Sequence, residues 1–216
     1  MDSWLIPDSK VTRKIGIYLS YIMQILMVVL TIYSAYIGFW VMVFWGAFAT
    51  VLTFAPQMIK RRFKVTLPWE LNFLIILSLF LHLGGIVRDW YYIIPLYDKM
   101  AHFIASATIA ILGFVAAVII DQYTEIDMNE YMIVFIIIIF TVAIGTFWEI
   151  SEFVYDYFTG AGMQKSLDDT MWDLIFDVAG GVIIAFFGYG YLKKMPKERF
   201  VKELVGDDDD AKENTD

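Results

Sequence analysis

The chain has 216 residues, 59% of them hydrophobic, and a formal net charge of −8. Soluble domains are nearer half apolar, so this composition excludes an ordinary soluble fold and indicates a membrane protein, with length for one domain. There is no cysteine, which excludes disulfides and thiolate metal ligands; a metal site here must use oxygen and imidazole.

In chain order, residues 1–14 ("MDSWLIPDSKVTRK") form a polar, basic N-terminal segment. It is not a cleavable signal, because the apolar run after Lys14 is too long for one and lacks a small-residue cleavage site. A bilayer core needs about 20 apolar residues per helix. Stretches 15–33, 36–55, 69–87, 101–120, 131–155 and 171–192 meet or approach that length. The expected fold is all-α, a polytopic transmembrane bundle of about six spans over residues 15–192. The cuts between spans carry the right punctuation: "APQMIKRRFKVTLP" with two prolines, "IIPLYDK", and the Gly-containing "YFTGAGMQKSLDD". Trp69, Trp90, Tyr91, Tyr92, Tyr97 and Trp172 fall near span ends, as interfacial aromatics do. Residues 193–216 form a cytoplasmic tail, basic at first and then acidic; its acidic stretch, "GDDDDAKENTD", reads as a solvated, disordered end.

Lys and Arg set the orientation. With six spans, 13 of the 16 basic residues fall on one side, in the N-terminal segment, the 60–64 loop and the tail; Arg88, Lys99 and Lys165 fall on the other. The positive-inside rule then places both termini in the cytoplasm. The expected location is the plasma (inner) membrane, multi-pass, with membrane lipid as partner and no nucleic acid.

On this topology the ionisable residues of the last four spans gather at the outer ends. Asp98 and His102 are four apart and share a helix face; Glu149, Glu152 and Asp156 share another; Asp169, Asp173 and Asp177 stack on a third. The expected layers are Asp98, Asp156 and Asp169 at the mouth; His102, Glu152 and Asp173 a turn deeper; Glu149 and Asp177, with His82, deeper again. An acid in mid-span costs up to about 2.5–3.5 kcal/mol, and several facing one cavity also repel. The nearby cations, Arg88, Lys99 and Lys165 with two histidines, are too few for the acids present. The expected remaining charge is a divalent metal ion, held by Asp98, His102, Asp169, Asp173 and Asp177. Glu149 and Glu152 are the candidate catalytic carboxylates, and Arg88 and Lys99 the candidate anion-holding groups. Blander roles stand beside these. Glu149 and Glu152 can pair with Arg88 or Lys99. His82 reads as a packing histidine, and Asp89, Asp156 and Asp168 as solvated acids near the interface. Gly84, Gly85, Gly180 and Gly181 read as sites of close helix packing.

"YDKMAHF", "WEISEF" and "DDTMWDLIFDVAGG" together resemble the YjdF-like family of bacterial and archaeal inner-membrane proteins. That family has D-K-x-x-H-F, W-E-x-x-E-F and D-T-x-x-D-L-x-x-D-x-x-G elements. They are matched here by Asp98, Lys99, His102 and Phe103; by Trp148, Glu149, Glu152 and Phe153; and by Asp169, Thr170, Asp173, Leu174, Asp177 and Gly180. The resemblance covers about residues 15–192. More distantly the chain is similar to VanZ-like proteins, which share a D-K-x-x-H start; their E-x-x-Q and R-x-x-D-x-x-x-N runs are missing. The YjdF-like resemblance implies a membrane protein with these residues grouped, and no reaction.

Three function classes follow. The first is a metal-dependent hydrolase or transferase acting on a lipid or polyprenyl phosphate headgroup. No D-G-x-x-A-R element of CDP-alcohol phosphotransferases is present, and the chain is too poor in histidine for a lipid desaturase. The second is an ion or proton transporter, for which the inner halves of the spans look too apolar, Gln24 being the conspicuous exception. The third is a structural or partner-binding membrane protein.

Overall fold

The computed structural model describes residues 10–63 and 67–205. The chain is helical: α1 (Lys10–Tyr36), α2 (Trp40–Leu52), α3 (Ala55–Phe63), α4 (Trp69–Val87), α5 (Trp90–Ile93), α6 (Tyr97–Tyr123), α7 (Glu130–Thr159), α8 (Leu167–Leu192) and α9 (Lys197–Val205), with no strand among the described residues. Most of the N-terminal segment and the acidic part of the tail lie outside the described residues.

Helices α1, α4, α6, α7 and α8 are long and apolar enough to cross a bilayer, and the bent pair α2–α3 makes a sixth span if counted as one. An unbroken second span over 36–55 is not what forms. α2 has 13 residues, about 20 Å at 1.5 Å per residue, and α3 leaves it at 41°. Pro56 explains the break: it has no N–H to return to the Leu52 carbonyl, and Thr53 and Phe54 close a turn instead.

The chain divides into two compact units, one ending at Ile94 and including residues from Glu198 on, the other running Pro95–Lys197. In the first, Met27, Met42, Leu83 and Val87 from α1, α2 and α4 form a buried cluster. The α4–α5 turn folds back so that Trp90 and Tyr91 lie on Gly84 and Gly85, which gives those glycines the packing role expected of them. His82 Nδ1 and the Tyr91 hydroxyl are 2.8 Å apart.

The second unit is the trio α6, α7 and α8, with α7 antiparallel to the other two. Its inner faces follow helical spacing. On α7, Ile133, Ile137, Thr141, Gly145 and Glu149 are buried at intervals of four. On α6 the matching stripe is Ser106, Ala110 and Phe114, and on α8 it is Asp173, Asp177, Gly181 and Ala185. Close approach of α6 and α8 depends on Gly180: a Cβ there would stand 2.8 Å from the Phe103 carbonyl oxygen and 3.0 Å from the Ala107 nitrogen, backbone atoms that cannot move aside. The opposite faces of α7 and α8 carry exposed Phe135, Ile139, Phe147, Phe153, Ile175 and Phe186, the side chains suited to acyl chains.

Candidate functional site

The N-termini of α6 and α8 and the C-terminus of α7 meet at one end of the trio. Asp98 opens α6, and Asp168 and Asp169 open α8, where the positive ends of the helix dipoles favour carboxylates. The Ser166 side chain caps α8 by accepting from the Asp169 N–H. α7 ends on Gly160 in the left-handed region, its N–H bonded to the Asp156 carbonyl at 2.8 Å.

The positive partner of the α8 carboxylate column is, in part, a lysine. Lys99 Nζ donates to Asp169 Oδ1 at 2.6 Å and to Asp173 Oδ1 at 2.8 Å, with Asp98 Oδ2 at 3.5 Å. Lys165 Nζ donates to Asp98 Oδ2 at 2.7 Å and lies 3.9 Å from Asp169 Oδ2. The two ammonium groups thus face three carboxylates, those of Asp98, Asp169 and Asp173, while Glu149 and Asp177 face His102, so the lysines alone do not neutralise the cluster.

His102 sits at the centre. Its Nδ1 lies 3.2 Å from Asp177 Oδ1, which also accepts from Ser106 Oγ. A carboxylate that accepts from both sides requires the proton of this contact on Nδ1. Nε2 then points at Asp98 Oδ1 at 3.9 Å, Glu149 Oε1 at 3.8 Å and Asp173 Oδ1 at 3.8 Å. These separations are too long for hydrogen bonds. Donor atoms about 2.0–2.5 Å from a shared ion are themselves about 3–4 Å apart. Glu149 is 4% exposed, and its Oε1 has no hydrogen-bond partner. Among the described residues, Asp98, His102 and Asp173 offer ligand atoms within 4.8 Å of one another, a group that can hold a metal ion. The donor set of carboxylate oxygens and one imidazole, steadied through its far nitrogen by a carboxylate, fits a divalent cation.

The other anticipated residues fall in different places. Asp177 is 2% exposed and faces His102; its Oδ2 lies against Gly145, where any Cβ would collide with the carboxylate. Glu152 is half-buried and accepts from the Trp148 indole N–H at 2.9 Å. Arg88 belongs to the first unit, is exposed, and stands 5.6 Å over the Tyr33 ring. His82 is in that unit too. Asp89 and Asp168 are exposed, as expected of solvated acids. Asp156 is not simply solvated: its oxygens accept the Met163 and Gln164 backbone N–H groups, both at 2.8 Å. That contact folds the α7–α8 loop inward, so that Gln164 Nε2 donates to the Glu149 carbonyl oxygen at 3.1 Å and Lys165 reaches Asp98.

Sequence reasoning missed Ser106 and Gln164. Ser106 had a signal, since it continues the series Asp98, His102 at intervals of four. Gln164 had none, because a loop residue's reach depends on how Asp156 folds the loop. Glu70, in the first turn of α4, was also passed over because it begins a span. It is 3% exposed with both carboxylate oxygens unpartnered among the described residues.

Similarity to known proteins places the chain without giving it a reaction. An uncharacterised protein of Thermotoga maritima is 29% identical over 138 residues, covering 63% of this chain and 70% of that protein. No solved structure matches. The family model described as "Predicted membrane protein (DUF2238)" matches residues 19–194, and the chain, with its apolar helices and buried acidic cluster, belongs to that family of membrane proteins.

Proposed function

We propose that the second unit holds a divalent cation and that the protein is a metal-dependent membrane enzyme acting on phosphate-bearing headgroups, of lipid or polyprenyl type, at the outer leaflet of the plasma membrane. The observation that carries this reading is His102, whose Nε2 faces three carboxylate oxygens at 3.8–3.9 Å while Asp177 and Ser106 hold the other side of the ring. Asp98, His102 and Asp173 are the proposed ligands. Asp177 orients the imidazole, and Asp169 steadies the mouth through Lys99.

A divalent ion bound there supplies Lewis acidity toward a phosphate oxygen or a water. Glu149 Oε1, buried and without a donor, is placed to accept a water proton. Glu152, nearly one turn closer to the helix end, is the carboxylate that passes the proton outward. Lys99 holds the anion at the mouth.

Sidedness follows from charge. Lys193, Lys194 and Lys197 stand at the end of the trio away from the cluster, and the positive-inside rule puts that end in the cytoplasm. A transport reading is less well supported. Between Ser106 and Asp121, about 22 Å along α6, the unit is filled by buried Ala110, Ile111, Phe114, Val118, Ile137 and Ala185. A hydrated path would have to cross that layer.

Metal analysis and thermal unfolding of purified protein test the reading. The wild type is expected to carry a divalent metal and to gain thermal stability on adding Mn²⁺. Both properties should be absent in His102→Ala and in the double variant Asp173→Ala with Asp177→Ala. Equal metal content in all three proteins, with no response to Mn²⁺ or chelator, discards the cation site.

A further inference from the structure

We propose that Lys99 and Lys165 are internal counter-ions which a divalent cation displaces, so that filling the cation site and presenting ammonium groups to a phosphate are one coupled event. This inference rests on the cation site proposed above and adds an order of binding to it.

The argument starts from shared oxygens. Asp173 Oδ1 is 2.8 Å from Lys99 Nζ and 3.8 Å from His102 Nε2, so one atom serves the lysine and the candidate cation group together. Asp98 is divided in the same way: Oδ2 takes Lys165 at 2.7 Å, and Oδ1 faces His102 Nε2 at 3.9 Å. The buried Glu149 Oε1, which no donor reaches, lies 3.8 Å from the same nitrogen and marks the side on which a cation would find a further oxygen ligand. A divalent ion within bonding distance of Asp173 Oδ1 would lie within about 5 Å of the Lys99 ammonium, where like charges repel strongly in a half-buried site.

The two lysines are able to yield. A lysine is a point charge on a flexible four-carbon stem, with no fixed fork geometry to give up. Lys165 sits in the α7–α8 loop with its side chain 28% exposed, and Lys99 stands in the first turn of α6, nearest the mouth. Asp169 Oδ1, at 2.6 Å, remains to keep Lys99 close to the opening after Asp173 is taken. Displaced in this way, the ammonium groups lie beside the cation at the mouth, and a phosphate group bearing two or more negative oxygens satisfies both.

The test is Mn²⁺ affinity of full-length protein in nanodiscs, measured for wild type, Lys99→Met and Lys165→Met. Each arm is repeated in phosphatidylcholine alone, with added inorganic phosphate, and with phosphatidic acid. Removing an internal competitor is expected to tighten Mn²⁺ binding about tenfold in Lys99→Met and by a smaller factor in Lys165→Met. Phosphate should tighten Mn²⁺ binding several-fold in wild type and not in Lys99→Met. Enhancement by both inorganic phosphate and phosphatidic acid supports recognition of the bare phosphate group; enhancement by phosphatidic acid alone supports a lipid-borne one. Mn²⁺ binding unchanged or weaker in both lysine variants overturns the exchange while leaving the cation site standing. No phosphate effect in wild type overturns the anion half. Wild type that fails to bind Mn²⁺ overturns the underlying site.

Discussion

The two ends of the α6–α8 trio both bury acids, and they treat them differently. At the far end Asp121 accepts the Met128 N–H at 2.6 Å, the Lys197 ammonium at 2.7 Å and the Gln122 amide at 3.2 Å, so one carboxylate meets one cation and each oxygen has a donor. Lys197 also donates to the Met128 carbonyl oxygen at 2.7 Å, which ties the α6–α7 loop to the end of α8. At the near end the carboxylates outnumber the ammonium groups, and Glu149 Oε1 and Asp177 Oδ2 are buried without donors. A saturated acid is a fastening. An under-neutralised group held by helix packing is where the proposed cation would bind, at a cost in stability without it.

That contrast predicts opposite responses to removing a charge. The largest effect is expected at the saturated end. Asp121→Ala strips a donor-filled carboxylate, 3% exposed, from its partners, and breaking such a buried pair costs about 3 kcal/mol. Thermal unfolding should show the loss equally with and without Mn²⁺; a loss that Mn²⁺ repairs would mean that the two ends are not distinct. At the near end Glu149→Gln removes one of the surplus charges. The metal-free protein is expected to become more stable by about 1 kcal/mol, while the stabilisation conferred by Mn²⁺ shrinks. If Glu149→Gln destabilises the metal-free protein as Asp121→Ala does, Glu149 is a fastening too. The smallest change in folding stability is expected from Ser106→Ala. It leaves His102 and Asp177 in place and loosens only the carboxylate that orients the ring, which should weaken Mn²⁺ binding about tenfold with little change in unfolding temperature. An unchanged Mn²⁺ affinity would show that Asp177 needs no help from Ser106.

Much of this was legible in the chain. Long apolar runs interrupted by Pro56, Pro95 and the 160–166 loop give helices in the observed order, because a bilayer leaves the backbone few alternatives. Pro56 was read as the cut that ends the second span, and the structure makes it a bend instead: α2 stops at Leu52 and the chain continues past Pro56 as α3, turned by 41°. Helical spacing put Asp98 with His102 and Asp169 with Asp173 and Asp177 on single faces, and antiparallel connectivity brought those faces to one end together with Glu149. The contacts do not sort by the expected layers: Lys99 engages Asp173 as well as Asp169, and His102 Nε2 faces Asp98, Asp173 and Glu149, one from each layer, at 3.8–3.9 Å.

The sequence by itself determined that the protein is a helical membrane protein and which acids would share a helix face, because helical period and span length follow from local chemistry and the thickness of the bilayer. The tertiary structure decided which of those acids are already answered. Lys99 turning between Asp169 and Asp173, the loop folded over Asp156, and the ring of His102 fixed by Asp177 and Ser106 are contacts between residues up to 75 positions apart. They depend on how closely α6, α7 and α8 pack at Gly145 and Gly180, which the composition of a single span does not encode.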